Sequence, residues 1–206
     1  MTKGKWAVVI VVLILICDQI FKLWIKTNMF IGQEYNVFGD WFKIHFIENN
    51  GMAFGFEFGG EFGKITLSVF RIIAISGIGY YIFYLSRRNA PAGLVIGIAM
   101  IFAGAAGNLI DSAFYGLVFS ESYGKVAAFM PEAGGYAGFL HGRVVDMLYF
   151  PIIDGYFPDW VPWRGGERFI FFRPVFNIAD SSITIGVLNI ILFQRSFFTK
   201  ENVDSE

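Results

Sequence analysis

Carboxylates and amides recur where this chain is otherwise apolar, at spacings that suit acid–base chemistry inside a membrane. In AVVIVVLILICDQIFKLWIK, Asp18 and Lys22 stand four residues apart, acid before base on one helical face. Asn108 and Asp111 are three apart, as are Asn177 and Asp180, so each pair can point two polar groups one way. Asp146 sits in GRVVDMLYF between Val144, Val145, Met147 and Leu148. An ionised Asp or Lys at mid-bilayer costs roughly 2.5–3.5 kcal/mol on insertion scales, so such groups satisfy one another or line a wet cavity. Two aspartates brought close together cannot both ionise easily; one keeps a proton while the other activates water, which is aspartic-protease chemistry.

Plainer roles compete at each position. Asp18 with Lys22 also reads as a helix-stabilising pair, Asp180 as an N-cap or first-turn acid, and Asp111 as the end of a span. Arg71 either snorkels or pairs. Asp146 is harder to dismiss, because a carboxyl among aliphatic neighbours needs partners. Other chemistries find little support. His45 and His141 are the only histidines and Cys17 the only cysteine, with no HExxH or cysteine cluster to hold a metal. No GxSxG is present, and GGEFGK at 59–64 lacks Walker A spacing.

The elements that must carry these residues are membrane helices. Hydrophobic residues make up 55% of the chain and charged ones 16%, unlike a soluble domain, and a net charge of −1 argues against a nucleic-acid partner. Apolar windows at about 6–25, 65–85, 92–112 and 180–198 are each long enough to span. The expected fold is therefore an all-α membrane protein of four transmembrane helices with a small β-containing extracytoplasmic segment, one domain over 1–206. The apolar N-terminus resembles a signal peptide, but Ile16 precedes Cys17 where cleavage needs a small residue, so a retained helix is expected.

Lys3, Lys5, Arg87, Arg88, Arg195 and Lys200 flank the spans and place both termini in the cytoplasm by the positive-inside rule. Segments of about 26–64 and 113–179 then lie outside. The first contains a strand running into a turn, DWFKIHFIENNGMAFGF; the second is expected to be irregular, with Trp160 and Trp163 at headgroup depth. GLVIG at 93–97 predicts close helix packing. Counting about 1.5 Å per residue, Asp18, Lys22, Asn108, Asp111 and Asp180 share the outer third of the bilayer.

Five blocks, in order across nearly the whole chain, resemble lipoprotein signal peptidase, the type II signal peptidase family of bacterial inner membranes. They are DQIFK with Asp18 and Lys22, NNGMAFG with Asn49 and Gly51, GAAGNLID with Asn108 and Asp111, GRVVDM with Asp146, and FNIADSSITIG with Asn177 and Asp180. The resemblance implies an intramembrane aspartyl endopeptidase that removes the signal peptide from diacylglyceryl-modified prolipoproteins by cutting before the lipidated cysteine. Asp146 and Asp180 would be the catalytic aspartates and need neither cofactor nor metal. Asn49, Asn108 and Asn177 would hold the substrate backbone or the dyad, and Asp18 with Lys22 would brace the first helix. Prolipoproteins and membrane lipids are the implied partners, with a monomeric enzyme working near the outer face. The family commonly has Arg after the Asp of GNxxD, where this chain has Ser112; Arg143 is expected to supply that charge. A proton-coupled transporter or a helix-pairing scaffold would also use intramembrane acids, but neither predicts the five blocks.

Overall fold

Apolar sequence in long uninterrupted runs forms helices here, because a helix satisfies its own backbone without water. The computed structural model describes residues 2–50, 60–88 and 90–197. Helix α1 runs Lys3–Asn28, α2 Gly60–Ser86 and α3 Ala92–Ile110. A π-helical turn at Asp111–Tyr115 and a short turn α4, Gly116–Val118, continue α3. The final helix, α5, spans Ile178–Phe193. Among the described residues three helices, Lys3–Asn28, Ile65–Ser86 and Ala92–Val118, are long and apolar enough to cross a membrane. With 16 residues, α5 is apolar but shorter, about 24 Å long. It starts two residues before the expected window and ends at Phe193, five before that window closes.

Large apolar side chains line the outside of these helices, among them Leu13 and Ile20 on α1, Phe70 and Ile73 on α2, and Leu188 and Leu192 on α5. Their exposure suits lipid as solvent. Between α3 and α5 the contact is through small residues. A Cβ on Gly186 would lie 2.5 Å from the Gly97 carbonyl oxygen, and one on Gly104 would lie 2.2 Å from that of Ala179. The small-residue spacing of GLVIG does mark a close packing seam. Gly104→Ala should therefore cost about 1–3 kcal/mol by forcing the helices apart. Thermal unfolding in detergent would read this directly; an unchanged midpoint would mean that the seam opens freely.

Outside the helices the chain builds sheet, as the expected β-containing segment requires, in two separate pieces. Strands β1 (Glu34–Phe38), β2 (Phe42–Asn49), β3 (Val144–Tyr149) and β6 (Val175–Phe176) form one antiparallel sheet in the order β1-β2-β3-β6. Strands β4 (Ile153–Tyr156) and β5 (Arg168–Phe171) make a separate hairpin, with Trp160 and Trp163 in its connection, 81% and 97% exposed. The fold is thus mixed, and the second outer segment is not irregular throughout. Its order comes from partners distant in sequence: β3 pairs with β2, setting Ile47 opposite Asp146 and Asn49 opposite Val144. Ile25, Met29, Phe46, Phe119, Val145 and Met147 bury themselves beneath this sheet, joining the end of α1 to both strands. The stretch between α4 and β3 folds back on α3, where a Cβ on Gly142 would sit 2.1 Å from the Asp111 carbonyl oxygen.

Candidate active site

Five elements converge at the C-terminal end of α3. From β3, Asp146 is 2% exposed, flanked by the core residues Val145 and Met147. Its Oδ1 accepts from Asn177 Nδ2 at 2.7 Å and its Oδ2 from Asn49 Nδ2 at 2.5 Å. Asn49 reaches it diagonally across the β2–β3 ladder, a neighbour relation that strand pairing makes available. Burial, and then the negative charge of nearby Asp180, push the Asp146 carboxyl up to about 7; the two amides pull the other way.

Asp180 stands in the first turn of α5 and does two things at once. With Asn177 it forms a capping box: the Asn177 Oδ1 accepts from the Asp180 N–H at 2.8 Å, and the Asp180 Oδ2 accepts from the Asn177 N–H at 3.3 Å. Its Oδ1 remains for Asn108 Nδ2 at 2.8 Å. The first-turn reading of this acid and the site reading are therefore compatible. Asn177 Nδ2 also lies 3.1 Å from Asn108 Oδ1, so amides link the two aspartates in the order Asp146, Asn177, Asn108, Asp180.

Beneath this chain lies Lys22, wholly buried. Its ammonium contacts Asp18 Oδ2 at 2.8 Å, Asp111 Oδ2 at 2.8 Å and Asn108 Oδ1 at 2.9 Å, three acceptors for three N–H donors. Each carboxylate then grips another element. Asp18 Oδ1 accepts from the Ala179 N–H at 2.9 Å, and Asp111 Oδ2 from the Val145 N–H at 3.2 Å. Asp18 and Lys22 thus hold the site from below, ordering Asn108, α5 and β3.

Arg143 lies elsewhere. Its guanidinium binds Glu121 at 2.7 and 3.1 Å and Glu48 at 3.1 Å, and these hydrogen bonds hold the Glu121 carboxyl below the usual range. Arg143 therefore does not supply a charge beside Ser112; two nearer carboxylates engage it. Glu48 also takes Lys26 at 2.5 Å, and Lys26 reaches Ser122 at 2.7 Å. Gly51 and the rest of NNGMAFG after Asn50 lie outside the described residues.

Two participants, Gln19 and Lys26, escaped the sequence reading. Gln19 donates to Asp111 at 2.9 Å and accepts from the Tyr115 hydroxyl at 3.2 Å. Lys26 continues the i,i+4 stripe of Asp18 and Lys22, a signal that was present. Arg71, left open between snorkelling and pairing, reaches Ser112 Oγ through Nη1 at 3.4 Å. Among the described residues no cluster of metal-ligating side chains occurs. Amide donors that fix two neighbouring carboxylates, one inclined to keep its proton, can hold a water between an acid and a base.

Comparison with known proteins agrees with that chemistry. The family model described as signal peptidase (SPase) II matches residues 10–197. A lipoprotein signal peptidase from Porphyromonas gingivalis is 48% identical over 191 residues, covering 92% of this chain and 83% of that protein. One from Amoebophilus asiaticus is 40% identical over 200 residues, covering 95% and 80%. Among solved structures, a bacterial membrane enzyme determined in meso at 2.3 Å superposes with a TM-score of 0.60 at 26% identity, covering 98% of this chain and 92% of that one.

Proposed function

Because this chain belongs to the signal peptidase II, or lipoprotein signal peptidase, family, we propose that Asp146 and Asp180 are the dyad with which it cleaves. The enzyme is a membrane peptidase that removes signal peptides from prolipoproteins. The observation that supports the dyad is the amide chain through Asn177 and Asn108, which ties the two carboxyls to one locus. In this reading Asp180 is the ionised member and takes a proton from water as its oxygen attacks the scissile carbonyl. Asp146 gives its proton to the carbonyl oxygen. The resulting diol collapses as a proton passes to the leaving nitrogen and the C–N bond breaks.

The substrate is a diacylglyceryl-modified prolipoprotein, cut before the lipidated cysteine. Its acyl chains stay in lipid while the bond is held between the aspartates, so remote binding energy positions the reacting centre. Asn49 and Asn177 fix Asp146, and Asn108 fixes Asp180; Gly51 belongs with Asn49 to the sequence block NNGMAFG, which the family resemblance ties to the site. Asp18, Lys22 and Asp111 support the site, while Arg143 acts at a distance by securing the excursion before β3. The chain works as one domain and a monomer in the bacterial inner membrane, with α5 as a fourth span, both termini cytoplasmic and the dyad near the outer face. Trp160 and Trp163 lie at headgroup depth.

The test is purified protein in micelles with a diacylglyceryl-modified prolipoprotein, with mass spectrometry of the products. A mature fragment beginning at the lipidated cysteine supports the reading, and cleavage elsewhere rejects it. The pH profile gives a second check. Asp146 keeps its proton below about 7 and loses it above, so kcat/KM should fall on the alkaline side with a midpoint within about one unit of 7. A rate still rising at pH 9 would remove Asp146 as the acid.

A further inference from the structure

Lys22 balances Asp18 and Asp111 through direct ion pairs, but it makes none with Asp180. Among the described residues, the hydrogen bonds that Asp180 accepts come from amides, the Asn108 side chain and the Asn177 backbone. A carboxylate held by neutral donors among apolar helices gains from a cation within range. Arg71, on α2, comes near enough to Asp180 and Asp111 to feel both charges. It is held by its 3.4 Å contact to Ser112 Oγ, and Ser112 in turn donates to the Asn108 carbonyl at 3.1 Å. The guanidinium therefore approaches from the helix opposite Lys22, next to the residue that follows Asp111 in the chain.

We propose that Arg71 is a positioning residue of the peptidase site, whose guanidinium, lodged at Ser112, supplies the positive charge facing Asp180 where the position after Asp111 holds serine. The proposal rests on the dyad reading above. Arg71 acts through Asp180, holding that carboxylate in place as the base. Arg143, engaged by Glu121 and Glu48, does not compete for this role. Since the charge matters more than its point of attachment, an arginine at 112 should substitute for one at 71.

The experiment uses the full chain in detergent with a quenched fluorescent, diacylglyceryl-modified prolipoprotein peptide, and compares Arg71→Met, Arg71→Lys, Arg71→Met with Ser112→Arg, and Asp180→Asn. Methionine keeps an unbranched, membrane-compatible side chain without charge. Arg71→Met should lower kcat about 30- to 100-fold while KM moves less than about threefold, the signature of a lost transition-state interaction. Arg71→Lys should keep about a third of the wild-type rate, and the double variant should return to within about tenfold of wild type. If Arg71→Met turns over within about threefold of wild type while Asp180→Asn is inert, the inference fails and the dyad stands. A double variant no faster than Arg71→Met also overturns it, as does a rate loss matched by loss of folded, monodisperse protein. Turnover by Asp180→Asn would instead overturn the dyad reading itself.

Discussion

Asp146→Asn and Asp180→Asn should each leave a folded protein that releases no measurable signal peptide, a loss of about three to four orders of magnitude in kcat. The loss is chemical because the geometry around each residue tolerates the change. An asparagine at 146 still accepts from one of Asn49 and Asn177, and one at 180 still accepts from Asn108 through its carbonyl oxygen, at the loss of one acceptor each, the partner of the Asn177 N–H in the case of 180. What disappears is the exchangeable proton at one position and the base at the other. Since the two act as a unit, the double variant should be no slower than either single one. A gel-mobility assay of prolipoprotein cleavage, paired with size-exclusion chromatography, checks both halves. Normal cleavage by a monodisperse variant would exclude that residue from the dyad.

Lys22→Met should be the most destabilising single change, by about 3–5 kcal/mol, because it strands two buried carboxylates together. Asp18 and Asp111 would then face each other without a cation, yet both are committed to backbone donors, at Ala179 and Val145. Adding Asp18→Asn and Asp111→Asn should recover part of the loss, since neutral amides of the same shape remove the stranded charge. Thermal midpoints in one detergent would measure the series. If Lys22→Met unfolds within about a degree of wild type, the buried hub contributes little to stability.

The residues of the site were legible in the sequence because the bilayer makes polar groups expensive. Asp18, Lys22, Asn108, Asp111 and Asp180 stood out against apolar runs, and helical rise put them at one depth. Asp146 stood out for its neighbours, although those neighbours form a strand. The register that brings Asn49 to Asp146 was not legible, since β2 and β3 come from different loop segments and these two residues are 97 apart in the chain. Periodicity describes a strand but not its partner. For the same reason GYFPDWVPWRGGERFIFF read as irregular although it contains β5 of a hairpin. Arg143 misled because nearness in sequence to Asp146 suggested nearness in space; Arg143 precedes β3 and turns to Glu121 and to Glu48, which alternates along β2 with the Asn49 that faces Asp146. Arg71 could not be placed at all without the packing of α2 against α3.

The capping box at the start of α5 has a consequence for when this protein can cut. The same two residues that begin the helix, Asn177 and Asp180, also carry one aspartate of the dyad and the amide that steadies the other. They belong to α5, which leaves the ribosome after α1, α2 and α3. On the proposed dyad, a nascent or truncated chain that has inserted only those earlier helices holds Asp146 without its counterpart and should be inert. Proteolytic competence would then arrive only once α5 is in place, an intrinsic safeguard for an enzyme made in the same membrane as its substrates.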